Sequence, residues 1–213
     1  MQPTFYTEIF NQYFKNKFWG NQDGSSGPNS AFSETPKLRK NLENLFTELT
    51  IKTLFDAGCG DANLFKYLSL THENFKNIKI YTGAECVESL TQQNQKNFAH
   101  LSNFNFVTQD LLKDPIPTVD LILCRDVIHY WPNQSISHFL KHCLESKSRY
   151  LLITHNIHSA ISANSPTEFG IFRPVNLTQR PFFWPQPIST LSEDIFGKEL
   201  ALFELNKQYK SHR

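Results

Sequence analysis

Residues Leu54 to Phe65 read Leu-Phe-Asp-Ala-Gly-Cys-Gly-Asp-Ala-Asn-Leu-Phe. Apolar residues from Ile51 to Phe55 lead into Asp56, the chain passes through Ala57, Gly58, Cys59 and Gly60, and a helical pattern follows. A strand, a glycine turn and a helix N-terminus in that order predict an α/β protein that holds a nucleotide-like ligand at the carboxyl end of its first strand. The two glycines let the backbone approach that ligand with no Cβ in the way.

The details select among ligands. A dinucleotide fingerprint places a third glycine three residues after the second, where this chain has Asn63. That substitution weakens the dinucleotide reading, and no Gly-Lys-Ser/Thr follows, so the phosphate-binding loop of nucleotide hydrolases is not present either. What remains is Asp-x-Gly-x-Gly, with an acid directly before the turn. A carboxylate there repels phosphate and suits a ligand carrying an ammonium or sulfonium charge. The pattern resembles motif I of the class I S-adenosylmethionine-dependent methyltransferases. Taken alone, it also fits a structural strand–turn–helix with incidental glycines.

Downstream, acids recur in phase. Ile78 to Glu85 reads as a second strand ending in a carboxylate, 25 residues after Gly60. That is where this type of sheet grips a ribose through its hydroxyls. A third strand, Phe104 to Thr108, leads to Asp110 and Leu111, and a fourth, Val119 to Cys124, ends in Arg125-Asp126-Val127-Ile128-His129-Tyr130-Trp131. Asp56, Glu85, Asp110 and Asp126 therefore close four successive predicted strands.

A narrower resemblance runs from about residue 18 to 205. Trp19-Gly20, Ser26-Gly27-Pro28-Asn29-Ser30, Asp56-Ala57-Gly58-Cys59-Gly60-Asp61, Cys124-Arg125-Asp126, Arg173-Pro174-Val175-Asn176-Leu177 and Pro181-Phe182 are similar to the signatures of a group of small bacterial class I methyltransferases. Gly24 and Asn29 depart from that group, which favours Ser and Gly there. The resemblance implies a Rossmann-like fold, a mostly parallel seven-stranded sheet with helices on both faces and an N-terminal helical lid. It implies S-adenosyl-L-methionine as cofactor, held by Trp19, Ser26, Gly27, Asp56, Ala57, Gly58, Cys59, Gly60, Glu85, Cys86, Asp110, Leu111 and Arg125, with Asp110 receiving the adenine amino group.

Composition fits this class. A single domain of 213 residues has room for a full core. Lys plus Arg number 21 against 20 Asp plus Glu, so no basic excess advertises a nucleic-acid partner. Cys59, Cys86, Cys124 and Cys143 are scattered without metal spacing, which suits reduced thiols in a cytoplasm. No apolar run approaches a membrane span and no signal peptide is read at the start. The expectation is a cytoplasmic protein with no membrane partner.

The chain divides into an N-terminal helix and loop lid (1–34), a cofactor-binding core (35–155) and an acceptor-side cover with a closing strand (156–213). Phe5, Ile9, Tyr13 and Phe14, widened by Phe10 and Phe18, form an aromatic stripe that reads as core-facing, compatible with closure over the cofactor. Thr35 as N-cap and Pro36 at the first helical position start a helix carrying Leu38, Leu42, Leu45 and Leu49. Strands and helices alternate from 51 to 155, with a fifth strand at Arg149 to Thr154 and a last, antiparallel one at Leu200 to Leu205. Between them, five prolines and five aromatic residues in His155 to Pro187 exclude a regular helix. That segment reads as an irregular cover that walls an acceptor pocket.

With a sulfonium methyl donor, the protein has mainly to align the acceptor, and a base can take its proton. Asp126 and His129, at i and i+3, are the candidates for the reacting edge, with His155 at the end of the fifth strand as a third; pocket shaping without proton transfer is the competing role for His129 and Tyr130. Tyr130, His155 and Arg173 are expected on the acceptor, a small molecule or peptide, with Arg173 either binding an anionic group or tied to an internal acid. His138 and His142 share a helix face but lack a third ligand, so no metal is expected and both should face solvent. The rivals are a non-catalytic cofactor-binding scaffold and a nicotinamide-dependent oxidoreductase.

Overall fold

The computed structural model describes residues 5–20, 24–71, 75, 77–157, 164–193 and 198–205. Its seven strands are β1 (Thr53–Ala57), β2 (Ile80–Glu85), β3 (Phe104–Thr108), β4 (Leu121–Cys124), β5 (Tyr150–Asn156), β6 (Ser189–Ser192) and β7 (Lys198–Glu204). They form one sheet in the order β3-β2-β1-β4-β5-β7-β6. The first five run parallel, and β7 is antiparallel to both β5 and β6. This is the Rossmann-like, mostly parallel sheet of class I methyltransferases. The strand order reverses between β1 and β4, and an open α/β sheet places its ligand in the crevice above that reversal.

Alternation along the buried strands splits the core in two. Leu54, Tyr81, Leu121, Leu123 and Leu152 face α2 (Pro36–Glu48) and α3 (Asn63–Thr71), burying Leu38, Leu42, Phe46, Phe65 and Leu68. Phe55, Ile122, Cys124, Leu151, Ile153 and Phe203 face α5 (Asn133–Glu145), whose Ile136, Phe139, Leu140 and Cys143 recur at helical spacing. Of the remaining helices, α1 (Phe5–Lys15) lies over the carboxyl ends of the strands and α4 (Glu88–Asn97) follows β2.

Several elements differ from the sequence reading. No helix links β3 to β4: Lys113 and Asp114 donate to Asp110 O, and Pro115 and Pro117 then withhold the N–H groups a helix needs. The helical stripe of α1 has another phase, since Tyr6 is buried and Phe10 and Tyr13 follow it, whereas Phe5 and Phe18 are exposed. Thr35 precedes Pro36 as expected, but its hydroxyl donates back to Ala31 O instead of capping α2. The last strand starts at Lys198, and the unexpected β6 pairs beside it.

Candidate functional site

A cavity of about 500 Å3 opens at the carboxyl ends of β1, β2 and β4. Its floor is the glycine turn. The Gly58 and Cys59 N–H groups donate to Ala84 O at 2.9 and 3.0 Å, strapping the turn to β2. Gly58 and Gly60 sit at φ +81° and +55°, the region that favours glycine. A Cβ on the first would strike the Val127 side chain and on the second the Ser26 hydroxyl. The sequence needs glycine here for both conformation and space.

Glu85 ends β2 with its carboxylate fixed on three sides. Oε2 accepts from Gly60 N at 3.1 Å, and Oε1 accepts from Cys86 N and Val87 N at 2.8 and 3.1 Å. Burial pushes the carboxyl above its usual range, against those three bonds, which favour the charged form. Asp56, at 5% exposure, accepts from Tyr81 OH at 2.8 Å. Burial raises it to about 7, against the Tyr81 bond and the charge of Arg125. A buried carboxyl whose pKa is raised by desolvation becomes a strong partner for a cation that enters beside it.

The lead-in loop is tied to the turn. Ser26 Oγ donates to Asp61 Oδ1 at 2.8 Å and accepts from Asp61 N at 2.9 Å. Trp19 Nε1 donates to Tyr130 OH at 3.1 Å, joining the loop to the segment after β4, and Gly27 packs on Trp19.

At the other end of the cavity stands a four-charge network. Arg125 Nε donates to Glu193 Oε1 at 2.5 Å, Nη1 to Ser30 Oγ and Nη2 to Asn29 O. Lys198 Nζ bridges Asp126 Oδ2 at 2.7 Å and Glu193 Oε2 at 3.1 Å. Asp126 is held at φ +59°, where a non-glycine residue is strained, and its side chain is 30% exposed into the cavity. Burial opposes its ionisation, but Arg125 and Lys198 outweigh that and hold the carboxyl below its usual range.

Among the expected site residues, Trp19, Ser26, Gly27, Asp56, Gly58, Cys59, Gly60, Glu85, Cys86, Leu111, Arg125, Asp126 and Tyr130 line this cavity. Five expected residues do not. Ala57 is fully buried in the core beneath the turn. Asp110 lies behind Tyr6, whose hydroxyl donates to Asp110 Oδ1 at 2.5 Å. The His129 ring is covered by Phe172, stacked at 5.4 Å, and its Nε2 is bonded to Asn156 Oδ1 at 2.7 Å. Asn156 Oδ1 also accepts from Val175 N, so the shared proton sits on His129 Nε2, and burial keeps the ring neutral by lowering its pKa. His155 is buried, accepts from Leu177 N through Nδ1, and is pushed down to about 4 by burial and then by His129. Arg173 is turned away from the cavity that its neighbours Phe172 and Pro174 line; it donates to Trp131 O and Asn133 Oδ1.

Arg125 lines the cavity with each of its terminal groups already on a protein acceptor. Sequence reasoning missed Tyr6, Asp61, Asn156 and Lys198 in the cavity wall, and Glu193 behind it. His138 is exposed as expected, but His142 is half-buried against it, with ring centroids 4.4 Å apart. Among the described residues no group of three His, Cys, Asp or Glu could hold a metal, and no helix is long and apolar enough to cross a membrane.

Residues 31–161, more than half of the 213, match the O-methyltransferase domain family. The chain belongs to that family. The methyl donor of this methyltransferase family is S-adenosyl-L-methionine. Among solved structures, the magnesium protoporphyrin IX methyltransferase of Synechocystis is similar with a TM-score of 0.56 at 15% identity, over 95% of this chain and 98% of that one. The phosphoethanolamine N-methyltransferase 1 of Haemonchus contortus is similar with a TM-score of 0.57 at 18% identity, over 79% of this chain and 39% of that one. The methyltransferase domain of bacterial CtHen1 is similar at 0.51 and 15%, over 58% of this chain and 66% of that one. The chain thus spans just under two thirds of the CtHen1 domain and well under half of the nematode enzyme. No curated protein matches it. These likenesses share the fold, and membership of a methyltransferase family displaces the nicotinamide-dependent reading.

The residues present fit the cofactor. Gly58 and Gly60 form a cradle that a Cβ would fill, Glu85 is pre-oriented at the end of β2, and Asp56 is a buried acid beside the turn.

Proposed function

We propose that this methyltransferase moves the methyl group of S-adenosyl-L-methionine to a small-molecule or peptidyl acceptor. The observation that carries the reading is the joint placement of Asp56, the Gly58–Gly60 turn, Glu85 and Asp126 around one cavity. The cofactor supplies an electrophilic methyl on a sulfonium, and the rest of the work is alignment.

Glu85 accepts the ribose hydroxyls in charge-assisted bonds, already oriented by its three N–H donors. Asp56 ionises against the cofactor's positive charge. Cys86 and Leu111 flank the base, while Trp19, Ser26 and Gly27 close the methionine side. Asp126 Oδ1 receives no hydrogen bond among the described residues, so it is the atom that accepts the acceptor's proton-bearing group and points the nucleophile toward the methyl. Because Arg125 and Lys198 hold Asp126 ionised, it orients and stabilises the acceptor more than it removes a full proton. His129 acts behind the wall, fixing Asn156 instead of touching the acceptor. Tyr130 and Phe172 supply the apolar sides of the acceptor space.

Calorimetric titration of ligand-stripped protein with S-adenosylmethionine and S-adenosylhomocysteine tests the reading. Binding of both, with the demethylated product at least as tight, is the expected result. Failure of both to bind would overturn it.

A further inference from the structure

Tyr6 belongs to α1, outside the sheet, yet it is 6% exposed and faces the cavity where an adenine-binding acid was expected. Its hydroxyl proton is committed to Asp110 Oδ1, which is itself fixed by Leu112 N at 2.9 Å. The Tyr6 oxygen accepts no hydrogen bond among the described residues. Asp110 directly precedes Leu111, so the Tyr6–Asp110 bond sets the hydroxyl beside Leu111, which lines the same cavity as Tyr6, Glu85 and Cys86. Its ring is locked: it stacks on Phe169 at 5.3 Å and meets Trp131 and Phe10 edge-on at 6.2 Å. Tyr13 OH anchors the same helix on Gly170 O at 3.1 Å.

A hydroxyl whose proton is spoken for presents only lone pairs to whatever stands beside it. Such an oxygen welcomes an amino group and repels a carbonyl. From this geometry we infer that Tyr6 is a specificity-determining residue of the cofactor site: its oxygen, oriented by Asp110, accepts the exocyclic amino group of the adenine. Asp110 is the positioning residue, and α1 is a wall of the cofactor pocket as well as a cover. Burial and the Asp110 bond both raise the Tyr6 phenol, so the hydroxyl stays protonated and the polarity of the contact is fixed.

The inference rests on the S-adenosylmethionine reading, and paired nucleosides separate the two. Adenosine offers an amino donor at the position where inosine offers a carbonyl acceptor. Binding of S-adenosylhomocysteine and S-inosylhomocysteine is measured by calorimetry on the unaltered protein, Tyr6→Phe and Asp110→Ala. The unaltered protein should prefer the adenosyl compound, and Tyr6→Phe should weaken that compound roughly threefold to tenfold while the inosyl compound stays within about twofold. Asp110→Ala keeps the ring packed but frees the hydroxyl to turn and donate, so the preference should narrow there as well. Equal weakening of both compounds by Tyr6→Phe, or no preference in the unaltered protein, would overturn the role of Tyr6 alone. Failure of the unaltered protein to bind either compound would overturn the cofactor reading with it.

Discussion

Asp61 grips Ser26 from both ends, accepting from its hydroxyl at 2.8 Å and donating its own backbone N–H to the same oxygen at 2.9 Å. Its other carboxylate oxygen accepts from Ser25 N and Ser26 N at 2.5 and 3.2 Å. One buried side chain thereby fastens the lead-in loop to the glycine turn. Asp61→Ala removes charged acceptors worth about 1–3 kcal/mol in such settings. Cofactor affinity should fall about tenfold or more, and amide exchange at residues 24–27 should quicken. Unchanged exchange there would contradict the tether.

Glu85→Gln keeps the volume of the side chain but loses its charge and one acceptor. S-adenosylhomocysteine binding should weaken by about 2 kcal/mol, measured by calorimetry. Affinity equal to that of the unaltered protein would remove the ribose from Glu85.

Lys198 and Asp126 form a pair that loses more than itself when cut. Lys198→Met leaves Asp126 and the nearly inaccessible Glu193 with one cation, Arg125, between them. Breaking a buried pair this way costs on the order of 3 kcal/mol. Thermal stability should drop, and in an acceptor screen turnover should fall further than cofactor affinity. Asp126→Asn should lower turnover with a smaller loss of stability. Equal losses of turnover and cofactor affinity in both variants would move the pair out of the acceptor site.

Asp56 should make cofactor binding pH-dependent. Its folded carboxyl, near 7, lies above the ordinary carboxylate value of 3.8, so the folded chain binds a proton that the unfolded chain has released. The associated stability is fully present below the lower value and is lost as pH rises through about 7. A cationic ligand favours the ionised form, so S-adenosylmethionine affinity should rise from pH 6 to 8 and binding should expel a proton. Titration in buffers of differing ionisation enthalpy reads that proton directly. Asp56→Asn should flatten the profile.

His155 acts in the opposite sense. Folded, it ionises near 4 instead of 6.5, so the folded state resists a proton that the unfolded state accepts. Its contribution is intact above 6.5 and is lost as pH falls through about 4. The urea midpoint should decline across that window, and His155→Gln should shallow the decline.

The glycine turn and the acids around it were legible because their signals are local. Asp56, Gly58 and Gly60 lie within five residues, and a strand running into glycine fixes where each must point. Glu85 and Asp126 were placed by counting strands. What failed to show depends on geometry far from its own sequence. Lys198 and Glu193 meet Asp126 and Arg125 across 72 and 68 residues, with nothing in the spacing to announce it. Tyr6 was hidden by the phase of α1, where aromatic residues on adjacent faces fit two stripes. His129 and His155 looked reactive at strand ends, yet burial and neighbouring polar groups retire both from the cavity. The short β6, Ser189–Ser192, has only Leu191 buried and so lacks the apolar run that marked the inner strands.

The bridge from Lys198 to Asp126 also sets an order of assembly. During synthesis the glycine turn and its acids emerge well before β7, so Asp126 is made 72 residues ahead of its ammonium partner. Contacts of such long sequence separation close late. The charge network at Asp126 is therefore complete only when the last strand has docked, which makes the edge of the cavity depend on the end of the chain as well as on the glycine turn.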